Sequence, residues 1–243
     1  MFNLKYEIDW SVPFRSPYDE WLLSGMVFTL ALALITSVTS LSLGTFIAVL
    51  RMSKLKILRI IGRIYVEIFR NIPGLFWLLF FYFVFPELLP FNWGEALNSY
   101  AHYAFVAAVL GLTFDNSPYV ADIIVSGIIS IPKGQKEIAV STGLNGYQQW
   151  VHVILPQTFR IILPPLGSRM MHNLKNTSLA MVIAVPELTW STQQIESLTF
   201  RGVEATTIAT VFYISISMCL IFLVSRLEKF LSIDRESITM VSG

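Results

Sequence analysis

The run from Trp21 to Leu50 contains no Asp, Glu, Lys, Arg or His, and it constrains the fold more than any other feature. At about 1.5 Å per helical residue, it exceeds the roughly 20 residues that cross the apolar core of a bilayer. The composition agrees, since 54% of the residues are hydrophobic and only 14% are charged. Such a chain has too few polar side chains to cover a soluble globule of its size. The sequence therefore predicts a membrane protein.

Further apolar runs, at about 64–86, 100–131, 158–185 and 205–225, are also long enough to be candidate spans. They lack the alternation of barrel strands and are far longer than such strands, and a helix satisfies its own backbone groups in lipid. We therefore predict an all-α membrane protein with about five transmembrane helices. Residues 1–20 would form an external N-terminal segment, 21–230 the transmembrane domain and 231–243 a cytoplasmic tail.

Basic residues set the predicted orientation. The connection after the first run, 51–63, carries five basic residues and no acid, whereas residues 86–99 carry Glu87 and Glu95 and no base. Because cytoplasmic loops are rich in Lys and Arg, the first connection is placed in the cytoplasm. With five spans the N-terminus is then outside, and the loop at about 132–157 is cytoplasmic. Glu67 and Arg70, at the cytoplasmic entry to the second span, are expected to pair along one helix.

The cytoplasmic loop has the pattern of two short helices joined by a tight turn. Glu137 is predicted to begin the first helix and Gly143 to end it in a left-handed conformation. Asn145 is predicted to cap the second helix, with Gln148 completing a capping box, and Pro156 to end or kink it. Such a pair suits close docking against a partner. The alternative is a solvated connector that only joins two spans.

Two polar stripes lie within the predicted third and fourth spans. Asp115, Tyr119 and Asp122 share one helical face. The second stripe comprises Arg169, His172, Asn173 and Asn176, with Lys175 near its edge. Because ionisable groups in spans are costly, both stripes are candidates for a substrate path. In one interpretation the basic stripe receives the carboxylates of an amino acid, and in the other Asp115 or Asp122 pairs with Arg169 or Lys175.

Signatures of covalent chemistry are lacking in the sequence. It contains no G-x-x-x-x-G-K-[ST] phosphate loop and no H-E-x-x-H motif, and its single cysteine, Cys219, lies inside the fifth predicted span. We therefore expect a chain that is not an enzyme and that holds no catalytic residue, cofactor, metal or nucleic acid.

The loop also resembles a known motif. Its E-x-A-x-x-x-G pattern, followed after nine residues by V-I-L-P, is similar to the cytoplasmic loop of permease subunits of ATP-binding-cassette (ABC) importers, with Ile138 replacing an Ala of that motif. The segments VEIFRNIP (66–73), YVADIIVSGIISIPKGQ (119–135) and ILPPLGSRMMHNLKNTSLAMVIAVPELT (162–189) extend the resemblance to the polar amino-acid permease family. Within it, FRNIP, FPELLP (85–90) and MMHNLKNTS (170–178) are most similar to the glutamate/aspartate branch.

The resemblance implies a permease of the type I importer fold in the bacterial cytoplasmic membrane, carrying polar amino acids. Its partners would be two ATP-binding subunits that hold ATP and Mg²⁺, a second permease that is either a copy or a sister chain, and an external substrate-binding protein. The residues implied in ATPase coupling are Glu137, Ile138, Ala139, Gly143, Leu144 and Pro156. The alternative is an ion-coupled secondary amino-acid transporter, in which Asp115 and Asp122 would bind protons or sodium.

Overall fold

The computed structural model describes residues 7–231, and within that range every regular element is a helix. The prediction of an all-α protein is therefore confirmed. Residues 1–6 of the predicted external segment and residues 232–243 of the predicted tail lie outside the described residues.

Helix α1 (Tyr18–Met52) contains the long uncharged run from which the membrane assignment starts. It begins after a short 3-10 turn, Val12–Phe14. Asp19 and Glu20 lie in its first turn and Arg51 in its last. These charges stabilise the helix because they face helix-dipole ends of the opposite sign.

The predicted second span, 64–86, is not one continuous helix. Helix α2 (Lys56–Asn71) begins within the basic connection, and helix α3 (Gly74–Leu79) begins after Pro73. Proline disfavours the helical conformation in the residue before it, so α2 ends ahead of Ile72. Helix α3 continues as a π-helical turn, Phe80–Val84, and a 3-10 turn, Pro86–Leu88, before the short helix α4 (Trp93–Asn98).

The predicted third and fourth spans correspond to two helices that contain prolines. Helix α5 (Tyr103–Ile129) holds Pro118. After helix α6 (Lys133–Ser141), helix α7 (Gly146–Gln148) and a π-helical stretch (Gln149–Ile154), helix α8 (Leu155–Asn176) holds Pro164 and Pro165. A 3-10 turn, Thr177–Ile183, follows and closes at Ala184, whose φ is 58°. Neighbouring helices can satisfy the carbonyl groups that such prolines leave without donors.

Helices α9 (Leu188–Thr199) and α10 (Gly202–Leu231) complete the described chain. Among the described residues, α1 and residues 202–227 of α10 are long and apolar enough to cross a membrane. The pair formed by α2 and residues 74–84 counts as a third span if its two helices make one broken span.

The chain forms two compact units. The first comprises the described parts of Met1–Thr39, Ile72–Asp115 and His172–Met218. One apolar cluster in it contains Val12, Leu22, Leu188, Ile195, Ala205 and Ala209. Close helix contacts in it depend on small residues, as is common in membranes. At Gly111, for example, a Cβ atom would lie 2.9 Å from Leu78 Cα, so only glycine allows this approach.

The second unit comprises Ser40–Asn71, Asn116–Met171 and the described part of Cys219–Gly243. Val66 of α2 packs with Ile47 and Ala48 of α1 and with Ala121 of α5. A neighbouring cluster joins α5 to α8 and contains Val120, Ile162 and Leu166. These contacts hold α1, α2, α5 and α8 together around the polar residues described next.

Candidate functional site

We call the predicted cytoplasmic loop at about 132–157 the coupling loop. Helix α6 is its first arm, and this helix starts earlier than predicted. Pro132 occupies its N-cap and Lys133 its first turn, so the prediction that Glu137 begins the helix is wrong. A proline just before the first turn favours helix initiation there, since its fixed φ suits the start of a helix and its missing N–H is not needed. Glu137 lies instead in mid-helix, with an exposed side chain.

Gly143 ends α6 as predicted. Its φ is +79°, in the left-handed region where glycine is favoured. The N–H of Gly143 donates to the carbonyl of Val140 at 3.0 Å, and the N–H of Leu144 donates to the carbonyl of Ala139 at 3.2 Å. These two bonds form a Schellman motif, which satisfies carbonyl groups at the helix end and fixes the direction of the turn.

The second arm of the coupling loop consists of α7 and the π-helical stretch that follows it. Asn145 caps this arm, and the predicted capping box is confirmed. The Asn145 side chain accepts a hydrogen bond from the backbone N–H of Gln148 at 2.9 Å. The Gln148 side chain accepts one from the backbone N–H of Asn145 at 3.0 Å. The side chain of Gln149 also donates to the carbonyl of Leu144 at 2.7 Å. The turn between the arms is therefore fixed from both sides.

Pro156 does not end the second arm. The chain stays helical from Gly146 to Asn176, and the π-helical stretch gives way to α-helix at Leu155, one residue before the proline. Proline cannot donate the hydrogen bond that a regular helix requires at its position, so a change of hydrogen-bonding pattern is suited to this point.

The loop has an anchored side and an exposed apolar side. Ile131, before α6, and Ile154, in the second arm, are buried together against Ile128 of α5. Ala139 is buried as well, whereas the exposed fraction is 61% for Ile138 and 77% for Tyr147. Val140 and Trp150 are also exposed. An apolar surface carried on a rigid loop is typical of a protein interaction site.

Arg169 of α8 lies over the ring of Tyr119 on α5, with its guanidinium carbon 3.8 Å from the ring centroid. Its Nε donates a hydrogen bond to the side chain of Asn116, which in turn donates to the Ser40 hydroxyl at 2.7 Å. Stacking on an aromatic ring and a fixed hydrogen bond together hold the guanidinium in one place.

Asp122 lies one turn beyond Tyr119 and is bound by two arginines. It pairs with Arg51 at the end of α1 and, at 2.6 Å, with Arg70 of α2. Arg70 also lies 5.6 Å from the Tyr119 ring centroid. The expected pairing of Glu67 with Arg70 is wrong, because Arg70 is turned towards Asp122 instead. The predicted pairing of Asp122 with Arg169 or Lys175 is also wrong, because its ion-pair partners are Arg51 and Arg70.

The linked residues of the second unit therefore carry a net positive charge. Arg51, Arg70 and Arg169 contribute three guanidinium groups, which are always protonated, and Asp122 contributes one carboxylate. We call these four side chains, together with Tyr119, the arginine cluster. Such a cluster favours the approach of a carboxylate.

The other predicted path residues lie in the first unit. Asp115 is buried and accepts a hydrogen bond from Asn176 at 3.4 Å, and Asn176 contacts His172 Nε2 at 3.3 Å. Asn173 faces α1, where its amide nitrogen donates to the Thr36 hydroxyl at 2.8 Å. The first three residues thus form one polar group, while Asn173 forms a buried contact between two helices.

Two buried glutamates, Glu187 and Glu204, hold parts of the first unit together. Glu187 caps α9 by accepting hydrogen bonds from the backbone of Thr189 and Trp190. Burial raises the pKa of Glu187 above its usual value of 4.5. Glu204 accepts a hydrogen bond from the backbone of Asp9 at 2.8 Å, which attaches the N-terminal segment to α10.

Comparison with known proteins places these features in a family. The model of the family described as "Binding-protein-dependent transport system inner membrane component" matches residues 40–233. The glutamate/aspartate import permease protein GltJ of Escherichia coli (strain K12) is 29% identical over 91% of this chain and 95% of its own length. The glutamine transport system permease protein GlnP of the same strain is 31% identical over 92% and 97%. A solved chain, from a crystal structure of an amino acid ABC transporter with histidines, is 30% identical with a TM-score of 0.81, over 92% of this chain and 99% of that one.

Proposed function

This chain belongs to the family of binding-protein-dependent transport system inner membrane components, and on that premise we propose that it is the permease subunit of an ATP-driven importer of polar amino acids in the bacterial cytoplasmic membrane. Its partners are two ATP-binding subunits, which hold ATP and Mg²⁺, a second permease that is a copy or a sister chain, and an external substrate-binding protein. The chain itself provides the membrane path and the contact through which the ATPases act.

The single observation that supports this assignment most strongly is the geometry of the coupling loop. Ile138 and Tyr147 present apolar side chains outwards, while Ile131 and Ile154 anchor the loop to the rest of the second unit. A solvated connector would not need an exposed isoleucine in the middle of α6, a helix whose C-terminal end is fixed by backbone hydrogen bonds. A groove on an ATPase subunit would bury this apolar surface on docking.

Coupling follows from the rigidity of the same loop. Helix α6 packs against the π-helical stretch that leads into α8, and Ile131 connects its base to α5. When the ATPase subunits approach each other on binding ATP, a docked α6 moves with them. Because the contacts are close-packed, that displacement reaches α5 and α8 as a rigid-body movement.

Affinity purification of the tagged native chain from its own membrane tests the assignment. We expect an ATPase and an external binding protein to co-purify, and we expect Gly143→Asp to lose the ATPase because a residue with a Cβ atom is strained at the φ of +79°. Gly134→Asp is the matched control, since it adds the same charge to the same loop where no atom lies within 4 Å of a new Cβ. Capture of the native chain without an ATPase, under conditions that keep other complexes intact, would refute the proposal.

The finer proposal is that the substrates are glutamate and aspartate. It is supported by the net positive charge of the arginine cluster and by the position of Arg169 on Tyr119, on one of the two predicted polar stripes. In this role Arg169 binds a substrate carboxylate. In the alternative role, its contacts with Tyr119 and Asn116 only hold α8 against α5.

Uptake measurements on Arg169 variants separate the two roles. One charge-assisted hydrogen bond is worth roughly 1.5–3 kcal/mol, so Arg169→Gln should raise the KM for glutamate about 10- to 100-fold. Glutamine uptake is the internal control, and Arg169→Lys tests charge without the planar guanidinium. Unchanged glutamate affinity in a well-expressed Arg169→Gln complex would leave only the structural role.

An ion-coupled carrier remains the alternative function. In that reading Asp115 and Asp122 bind the coupling ion. The two arginines on Asp122 oppose this, because they already occupy both of its carboxylate oxygens. The two functions differ in their energy source, which is ATP for the importer and an ion gradient for the carrier.

A further inference from the structure

Helix α2 has one strongly apolar exposed face that the transport mechanism does not use. Five isoleucines lie on it, with exposed fractions between 42% and 73%: Ile57, Ile60, Ile61, Ile64 and Ile68. At about 100° per residue, these positions fall within an arc of about 100°. The face is continuous along the whole helix.

The opposite side of α2 fixes this orientation. Gly62 and Val66 are buried, and Val66 packs with Ile47 and Ala121. The Tyr65 hydroxyl also forms a hydrogen bond with Ser117 at 2.7 Å. Since one side of α2 is held against the second unit, the isoleucines cannot turn inwards, and their face must be covered from outside.

Three cations of α2 lie along one side of the isoleucine face, which we call the basic edge: Lys56, Arg59 and Arg63. The same side carries one acid, Glu67, and Lys54 lies two residues before the helix begins. Among the side chains that the structure describes, none of the four cations has an ion-pair or hydrogen-bond partner for its charged group. Arg51 and Arg70, at the two ends of the same region, are both bound to Asp122. The four cations are therefore available to an anionic partner.

We propose that α2 lies in the headgroup region of the cytoplasmic leaflet and binds anionic phospholipid. The isoleucines enter the boundary of the acyl chains, and Arg59 and Arg63 contact lipid phosphates, with the two lysines beside them. A helix with an apolar face, a basic edge and low overall hydrophobicity is suited to this position. The basic connection 51–63 is also the part of the chain that the positive-inside rule places in the cytoplasm.

Charge selects lipid over the other possible occupants of this face. A second permease copy could cover the isoleucines, but its own α2 would bring further cations to the basic edge. A soluble subunit could supply acidic groups, but it would have to dock an apolar surface in the plane of the membrane. Anionic lipid covers the isoleucine face with its acyl chains and neutralises the basic edge with its phosphate. The proposed position of α2 requires that the chain is a membrane protein of this family, and it holds whichever amino acid the chain carries.

Site-directed spin labelling of the full chain, with its captured partners in nanodiscs of phosphatidylethanolamine and phosphatidylglycerol, tests the apolar face. Cys219→Ser removes the single cysteine, and Ile64→Cys and Arg63→Cys then introduce one label each. We expect the label at 64 to be accessible to oxygen and shielded from a water-soluble nickel chelate, and the label at 63 to reach the chelate. Chelate access at 64 equal to that at 63 would overturn the proposal. Shielding of 64 from both reagents would overturn it in favour of a protein partner.

The basic edge is tested by the phosphatidylglycerol that the purified complex retains. The double variant Arg59→Gln/Arg63→Gln should lower affinity for phosphatidylglycerol about fivefold per charge removed, with little effect on phosphatidylcholine. The matched control is Arg59→Lys/Arg63→Lys, which keeps both charges and should retain most of the affinity. If the glutamine pair binds phosphatidylglycerol as tightly as the native chain does, the proposal is wrong.

Discussion

Removal of the Asp122 charge tests how the arginine cluster is held together. In Asp122→Asn the side chain keeps its size and can still accept hydrogen bonds, but Arg51 and Arg70 lose their shared counter-ion. Two guanidinium groups then lie near each other without a carboxylate between them. We expect the packing of α1, α2 and α5 to weaken, since Asp122 is the residue that links all three helices through charge.

The magnitude follows from the exposure of the side chains. Arg51 is 20% exposed and Asp122 27% exposed, so their pair lies between the surface limit of about 0–1 kcal/mol and the buried limit of about 3–5 kcal/mol. Arg70 is 53% exposed, and solvent screening reduces its pair with Asp122 to less than about 1 kcal/mol. Together they give a loss of about 2–3 kcal/mol, or a fall in melting temperature of about 5–10 °C for a chain of this size.

Thermal unfolding of the purified complex, followed by tryptophan fluorescence in one detergent, measures this loss. Glu67→Gln is the matched control, because it also removes a carboxylate next to the cluster but only from an exposed position on α2. That control should shift stability by no more than about 0.5 kcal/mol. Equal melting temperatures for Asp122→Asn and Glu67→Gln would show that the charge of Asp122 does not hold α1, α2 and α5 together.

The remaining predictions concern the coupling loop, a buried amide and a buried acid. Asn145→Ala removes the capping box and should cost about 1 kcal/mol; proteolysis at 142–149 should become faster while global melting changes little. Asn173→Ala should lower the melting temperature without changing the ratio of glutamate to glutamine uptake, because Asn173 bonds to α1; a changed ratio would return it to the substrate path. Burial raises the pKa of Glu187 above 4.5, so the folded state holds that proton more tightly than the unfolded state. Its contribution to stability is therefore complete below pH 4.5 and is lost as pH rises through the raised pKa. The fall in melting temperature between acidic and neutral pH should be smaller in Glu187→Gln, and an identical fall in both proteins would contradict this.

Local features of the loop could be predicted from the sequence because their hydrogen bonds join residues close in the chain. The capping box joins Asn145 to Gln148, and the Schellman motif joins Leu144 to Ala139. The predicted start of α6 at Glu137 is wrong because Pro132 provides an earlier start signal for the helix.

The arginine cluster could not be predicted in the same way. The bonds from Arg51 and Arg70 to Asp122 span 71 and 52 residues of chain. In the sequence Arg51 has an evident role as a topology signal, and Arg70 has a closer acid at Glu67, so local pairing rules point away from Asp122. Similarly, spacing alone could not separate Asn173, which bonds to α1, from Arg169, which stacks on Tyr119, although both lie on the predicted polar stripe of α8.

Uptake of labelled glutamate by the purified assembly in sealed vesicles distinguishes an ATP-driven importer from an ion-coupled carrier. ATP is supplied on the side of the ATPase subunits, the binding protein on the other, and ion gradients are abolished with ionophores. We expect uptake that requires ATP, persists without any ion gradient and is lost in Gly143→Asp while Gly134→Asp retains it. Uptake that follows a sodium or proton gradient in the absence of ATP would contradict it.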